Sequence, residues 1–269
     1  MLLVIMALLP AIVLCVYVFK KDRVEKEPLG LLLTLLLWGA LSCFPAAEIE
    51  VMMEDVINSV TRNSGINTHY FVKYFFGVAL VEEAVKFAVL VFITRKNKAF
   101  NSLFDGLIYS VFVSLGFAAL ENVFYVLDYG FTTAVMRAFL SVPGHMFFAV
   151  MMGYHYSMWH IFDKAAQVER GLKAAGRISQ DVKEYSSKGS MVLCLVVPVI
   201  AHGLYDFCCM LDEWWATLAL VAFVVFMYVH CFGKIKKMSK ADQHEGDYVA
   251  ALIFRKHGIL AGACDEINY

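Results

Sequence analysis

The sequence predicts an all-α fold: a polytopic transmembrane helical bundle of about seven spans. Three observations carry this. Hydrophobic residues make up 60% of the 269-residue chain and charged residues only 17%, against about 45–50% and about 25% in soluble domains. Mean hydropathy is +0.65. Apolar runs near the roughly 20 residues needed to cross a bilayer recur at about 1–19, 29–47, 70–93, 102–127, 133–161, 190–210 and 215–233.

The connections between these runs alternate in charge. Basic residues gather at 20–26 (Lys20, Lys21, Arg23, Lys26), 95–98, 164–188 and 234–240, whereas 48–69, 128–132 and 211–214 are acidic or short. With seven spans every basic loop falls on one side. The positive-inside rule then predicts an outer N-terminus and a cytoplasmic C-terminus.

The first run, Met1 to Phe19, has no basic leading segment and no A-x-A site, and Lys20-Lys21-Asp22-Arg23 follows it. That pattern predicts a retained anchor. Residues 48–62 place Ile49, Met52, Met53, Val56 and Val60 at helical spacing between Glu48, Glu50, Glu54 and Asp55. This predicts an amphipathic helix lying in the outer interface. Residues 163–189 read as a polar cytoplasmic connection. Residues 1–240 thus form the bundle, and 241–269 form a mixed, partly disordered cytoplasmic tail. The seven cysteines lack CxxC or Cys/His finger spacing and mostly lie in apolar runs, so they read as buried small residues. A net charge of −1 gives no general attraction to nucleic acid.

Ionisable groups inside the spans are the functional signal, because each costs roughly 2.5–3.5 kcal/mol at the bilayer centre. Span three carries Glu82, Glu83 and Lys86. Lys86 lies i+4 and i+3 from the two glutamates and reaches either, but one lysine cannot neutralise both. Span four carries Glu121-Asn122, at the end of a small-residue stripe Gly106, Ser110, Ser114, Ala118 that favours close helix approach. Span five holds Pro143-Gly144-His145. Span six holds Pro198, then His202 and Asp206 on one face. A proline before each buried histidine suggests kinked helices around a wet cavity.

Helix rise places Glu82, His145 and His202 roughly 12–18 Å from the outer end and Glu121 and Asp206 roughly 6–9 Å deep, so all of them can converge on one site. Carboxylates and imidazoles suit Zn²⁺. A catalytic zinc takes three protein ligands and a water, and His145, His202 and Glu83 are the candidate ligands. Without metal, a buried glutamate can act on water as general base. A proton-coupled transporter uses similar groups, but here they stop at mid-depth.

The set Glu82-Glu83-x-x-Lys86, Gly116-Phe117-Ala118-x-x-Glu121-Asn122, His145 and His202-Gly203-x-x-Asp206 resembles the PrsW family of intramembrane proteases. Asp22-x-x-Glu25-Lys26-Glu27-Pro28 and Phe104-Asp105-Gly106 also resemble its pattern. That family is related to CAAX-type prenyl endopeptidases and bacteriocin-immunity membrane proteins. The resemblance covers about residues 15–210. It implies a multi-pass protease of the bacterial plasma membrane that makes the first, outer-side cut in a single-pass anti-sigma factor during envelope stress. On that reading Glu82 or Glu83 is the water-activating base, with its partner held by Lys86. His145 and His202 are metal ligands or oxyanion stabilisers, Glu121 and Asp206 supply a third ligand or support the ligands, and Asn122 polarises the scissile carbonyl. A non-catalytic immunity or scaffold protein of the same fold is the alternative.

Overall fold

The computed structural model describes residues 2–258. The helices in order are α1 (Leu2–Lys21), α2 (Leu29–Leu41), α3 (Cys43–Val60), α4 (Ile66–Val72), a π-helical segment (Lys73–Ala79), α5 (Leu80–Thr94), α6 (Asp105–Tyr129), α7 (Phe131–Phe139), α8 (Ser141–Ala174), α9 (Lys188–Met210), α10 (Trp214–Lys240) and α11 (Glu245–His257). The all-α expectation holds, and the chain is a multi-pass membrane protein. Among the described residues, six stretches are long and apolar enough to cross a bilayer: Leu2–Lys21, Leu29–Val60, Asp105–Tyr129, Phe131–Ala174, Lys188–Met210 and Trp214–Lys240. The seventh expected span, 70–93, lies in the continuous helical run Ile66–Thr94. Glu82, Glu83 and Lys86 interrupt its apolar character.

Several boundaries differ from expectation. The amphipathic segment expected at 48–62 starts at Cys43, because Ser42 keeps helical dihedrals (φ −70°, ψ −11°) and the chain re-enters helix at once. The run expected as one span over 133–161 is two helices, parted at Leu140 (φ −114°, ψ −65°). Pro143 therefore sits in the first turn of α8, where its missing N–H costs no helical bond, and it kinks nothing. Of these two prolines Pro198 alone lies inside its helix, α9, as Pro10 does in α1. Of the tail, residues 245–257 form α11, packed on α8, while 259–269 lie outside the described residues, as does Cys264.

The centre of the bundle is α6, buried continuously from Asp105 to Ala118. Its neighbours approach so closely because of glycine. A Cβ on Gly39 of α2 would meet Val113 O at 2.1 Å, and one on Gly116 of α6 would meet Leu36 O at 2.1 Å. The two backbones are in contact there. On another face of α6 the small-residue stripe admits α8: a Cβ on Gly153 would lie 2.6 Å from Gly106 O. Replacing Gly116 by Ala is expected to destabilise the bundle by at least about 1–3 kcal/mol, the range for overpacking. Gly30→Ala, whose new Cβ meets nothing within 4 Å, is expected to be neutral. Thermal unfolding in detergent compares them, and equal midpoints for the two variants would refute the tight crossing.

The outer faces of the peripheral helices are apolar. Leu33 is 62% and Val229 72% exposed within the protein, as a lipid-facing surface requires.

Buried ionisable groups gather at both ends of the bundle, separated along α5, α6 and α8 by Leu90, Val111 and Val150, all buried. One end holds the candidate site. At the other end the segments 22–27 and 101–105 meet Asp242. Asp105 accepts from the backbone N–H groups of Asn101 (2.8 Å) and Ser102 (2.7 Å). Asp242 accepts from Phe104 N at 2.9 Å, and Glu27 accepts from Tyr109.

Burial first, and then the nearby Asp105 carboxylate, push the Glu27 carboxyl up to about 8. Burial likewise pushes Asp22 up to about 6. A carboxyl whose folded value is raised binds its proton more tightly when folded. Its contribution to stability is therefore complete below the unfolded value and is lost as pH climbs through the folded one. For Glu27 that window runs from 4.5 to about 8. Glu27→Gln, which cannot ionise, is expected to raise the melting temperature at pH 8 and to match wild type at pH 5. An unchanged melting temperature at pH 8 would contradict the buried charge.

Candidate active site

The π-helical segment leads directly into the double glutamate. Its Gly77 lies against Ile57 of α3, where a Cβ would come within 2.5 Å of Ile57 Cδ1. Its Phe75 packs on Gly203 of α9, where a Cβ would meet the ring at 2.7 Å. A π turn carries an extra residue and rotates the facing of the residues after it. Here it precedes Glu82 and Glu83 in the first turn of α5, both buried.

Lys86, one turn on, holds the cluster together. Its Nζ donates to Glu82 Oε2 at 2.9 Å, Glu83 Oε1 at 2.8 Å and His145 Nδ1 at 3.1 Å. The ring of Phe117 lies beneath it, centroid 4.2 Å away. An ammonium has donors only, so His145 accepts at Nδ1 and carries its hydrogen on Nε2. That Nε2–H donates to Glu121 Oε2 at 3.0 Å. The network thus sets the tautomer.

His202 stacks on Phe148 (ring centroids 4.7 Å apart, 17° between planes). Its Nδ1 faces Glu83 Oε1 at 3.0 Å and its Nε2 faces Asp206 Oδ2 at 3.3 Å. Both ring nitrogens meet carboxylates and both must donate, which makes this ring an imidazolium. It answers the charge problem that one lysine could not: Glu83 is shared between Lys86 and His202. Arg137 of α7 completes the set, donating to Glu121 Oε2 at 2.6 Å and to Asn122 Oδ1 at 2.9 Å. Buried charges persist only when paired in this way.

A cavity of about 730 Å³ opens beside the cluster, within the 300–1,000 Å³ common for ligand sites. Glu82, Glu121, His145, His202 and Asp206 line it. Glu83 is 0% exposed and lies behind them. Its Oε2 is buried with no hydrogen-bond partner.

The structure thus brings six of the seven expected catalytic residues, with Lys86, into one connected group. Asn122 is joined to it through Arg137 alone and does not reach the cavity. It is fully buried, and its Nδ2 donates to Ala7 O of α1 at 2.8 Å. Both halves of its amide are engaged, so it locks α1 and Arg137 rather than facing a substrate carbonyl. The break at Leu140 puts His145 near the start of α8, beside Lys86 and His202.

The expected zinc set also changes. Glu82, Glu83 and His145 offer ligand atoms all within 4.8 Å of one another, and His202 is outside that group. The donor chemistry fits a divalent ion, and the orphaned Glu83 Oε2 is spare ligand capacity. Lys86 Nζ contacts the same three side chains, and these residues would hold such an ion.

Sequence reasoning missed two participants. Arg137 was legible as a lone charge in the apolar run Ala134 to Leu140. Phe148 was not, since nothing local distinguishes it from a packing residue.

Comparisons with known proteins give the family. Residues 27–231 match the model of a family described as PrsW family intramembrane metalloprotease. The chain is 33% identical over 206 residues to Protease PrsW of Geobacillus kaustophilus, covering 77% of this chain and 79% of that one. It is 29% identical over 239 residues to Protease PrsW of Clostridioides difficile (87% and 90% covered). It is also 29% identical over 229 residues to that of Bacillus subtilis (85% and 91% covered). No solved structure matches. The double glutamate, its lysine and the two histidines thus belong to a bacterial multi-pass membrane protein that is a member of the PrsW family of intramembrane proteases.

Proposed function

We propose that the protein is an endopeptidase that cuts a single-pass membrane protein near its outer side, and that this substrate is an anti-sigma factor in an envelope-stress response. The observation that carries the cleavage reading is the cavity-facing Glu82 carboxylate, set beside His145 and His202 at one end of the bundle. The outer position rests on the charge alternation of the loops. The anti-sigma substrate rests on the family resemblance.

Glu82 is the general base. It is the one of the two glutamates that lines the cavity, where a water and a peptide carbonyl can both reach it. Lys86 orients its carboxylate. Glu82 takes a proton from water as the oxygen attacks the carbonyl carbon, and later returns it to the departing amine. The oxyanion that forms needs a fixed positive donor. The His202 imidazolium supplies one through Nε2–H, whose 3.3 Å contact to Asp206 is the looser of its two. Glu83 holds that ring by Nδ1. His145, fixed by Glu121 and Lys86, lines the cavity beside His202. Zn²⁺ held by Glu82, Glu83 and His145 would supply a Lewis acid and a more acidic water.

Reconstitution with a tagged single-pass anti-sigma factor tests this. A product that appears with wild type and disappears with His202→Ala, its new terminus placed on the outer side by mass spectrometry, supports the reading. Equal cleavage by that variant sinks the site. Zinc bound stoichiometrically to active protein and lost in Glu82→Gln supports the ion, whereas activity that survives chelation assigns the chemistry to the side chains alone.

A further inference from the structure

Five carboxylates line the cavity: Glu50, Glu54, Glu82, Glu121 and Asp206. Four have a cationic partner. Glu54 pairs with Lys73 at 2.8 Å, Glu82 with Lys86 at 2.9 Å, Glu121 with Arg137 at 2.6 Å and Asp206 with His202 at 3.3 Å. Glu50 has no hydrogen bond or ion pair among the described residues.

Glu50 is not a stray surface charge. It is half-buried on α3, within electrostatic reach of Glu82, Glu121, Lys86 and His202. Cys43, Ala47, Glu50, Glu54 and Ile57 recur at helical spacing, and all line the cavity, so one face of α3 forms a wall of the cavity that Glu82 also lines. Ala46 and Ala47, one turn before Glu50, are small and leave room beside its carboxylate. An unpaired carboxylate in a low-dielectric site is costly. A wall of small apolar residues ending in such a carboxylate suits a long basic side chain, whose methylene stem packs on the wall while its head meets the charge.

We infer that Glu50 is a specificity residue that receives a lysine or arginine side chain of the substrate next to the scissile bond. This rests on the protease reading. The paired carboxylates are already neutralised by the protein's own cations, so Glu50 is where the cavity selects for positive charge. The substrate class is a membrane protein with a basic residue within reach of its cut.

The test uses the full chain in liposomes and one single-pass reporter whose cut is first mapped by mass spectrometry. The three positions on each side of the cut are changed singly to Lys, Ala and Glu. At one position, Lys is expected to exceed Ala in kcat/KM by at least about thirtyfold, the effect of truncating one partner of a buried charge pair. In Glu50→Gln that ratio is expected to collapse towards one. In Glu50→Lys the Glu reporter is expected to become the preferred one. Circular dichroism and melting confirm that both variants fold, and Glu50→Asp, which keeps the charge, is expected to retain a Lys preference. Cleavage with no position favouring Lys, or a Lys preference undiminished in Glu50→Gln, overturns the subsite and leaves the protease reading standing. Absence of all cleavage by wild type overturns both.

Discussion

Glu82→Gln is expected to lower the cleavage rate by about 10²–10⁴-fold, the contribution of a positioned general base, and to leave the fold intact. Glutamine has the shape of glutamate, and its carbonyl oxygen still accepts from Lys86 Nζ, which donates to Glu82 Oε2 at 2.9 Å. What it cannot do is take a proton from water. The loss is expected in kcat with KM nearly unchanged, because the proton transfer is made only in the transition state. Glu83→Gln is expected to be impaired less. Glu83 does not line the cavity and acts through His202 and Lys86. Single-turnover cleavage of a reconstituted reporter reads both variants. A Glu82→Gln protein cutting at the wild-type rate would falsify the assignment, and a far larger loss in Glu83→Gln would exchange the two roles.

Lys86→Met is expected to be the most destabilising single change in the bundle, at about 3–5 kcal/mol, the cost of removing one partner from a buried pair. Lys86 is 1% exposed and is the hub for Glu82, Glu83 and His145. Methionine fills much of its volume but leaves two buried carboxylates with too little positive charge. His202 still serves Glu83, while Glu82 has no cation left. The melting temperature in detergent is expected to fall accordingly. Adding Glu82→Gln and Glu83→Gln to Lys86→Met is expected to recover most of that loss, because no unpaired charge then remains. If the triple variant melts no higher than Lys86→Met, packing rather than charge explains the residue.

The residues of the site were largely legible without the fold. In an apolar chain each ionisable group stands out, because the bilayer penalises it wherever it points, so Glu82, Glu83, Lys86, Glu121, His145, His202 and Asp206 could be picked out from composition and spacing alone. Arg137 carried the same signal, embedded between Ala134 and Leu140. Asn122 was misplaced because an amide costs far less than a charge in the membrane, and spacing does not say which neighbour it meets.

Helix boundaries were less legible. The breaks at Ser42 and Leu140 fall within unbroken apolar runs, and hydropathy cannot see a change of direction between two equally apolar helices. The π-helical segment left no mark either, since its effect is on facing and not on composition.

Composition and loop charge were therefore enough for the membrane, the helices and the set of polar residues that meet. Pairing was decided only by the packed bundle: that Lys86 holds both glutamates and His145, that His202 takes the remaining charge of Glu83, that Glu82 and not Glu83 faces the cavity, and that Glu50 has no ion pair among the described residues. The reason is physical. Transfer into a bilayer acts on each residue singly and can be read one position at a time. Hydrogen bonds and ion pairs act between residues far apart in the chain, such as Glu83 and His202, 119 positions apart, and exist only once glycine contacts such as Gly39 on Val113 and Gly203 on Phe75 have brought the helices together.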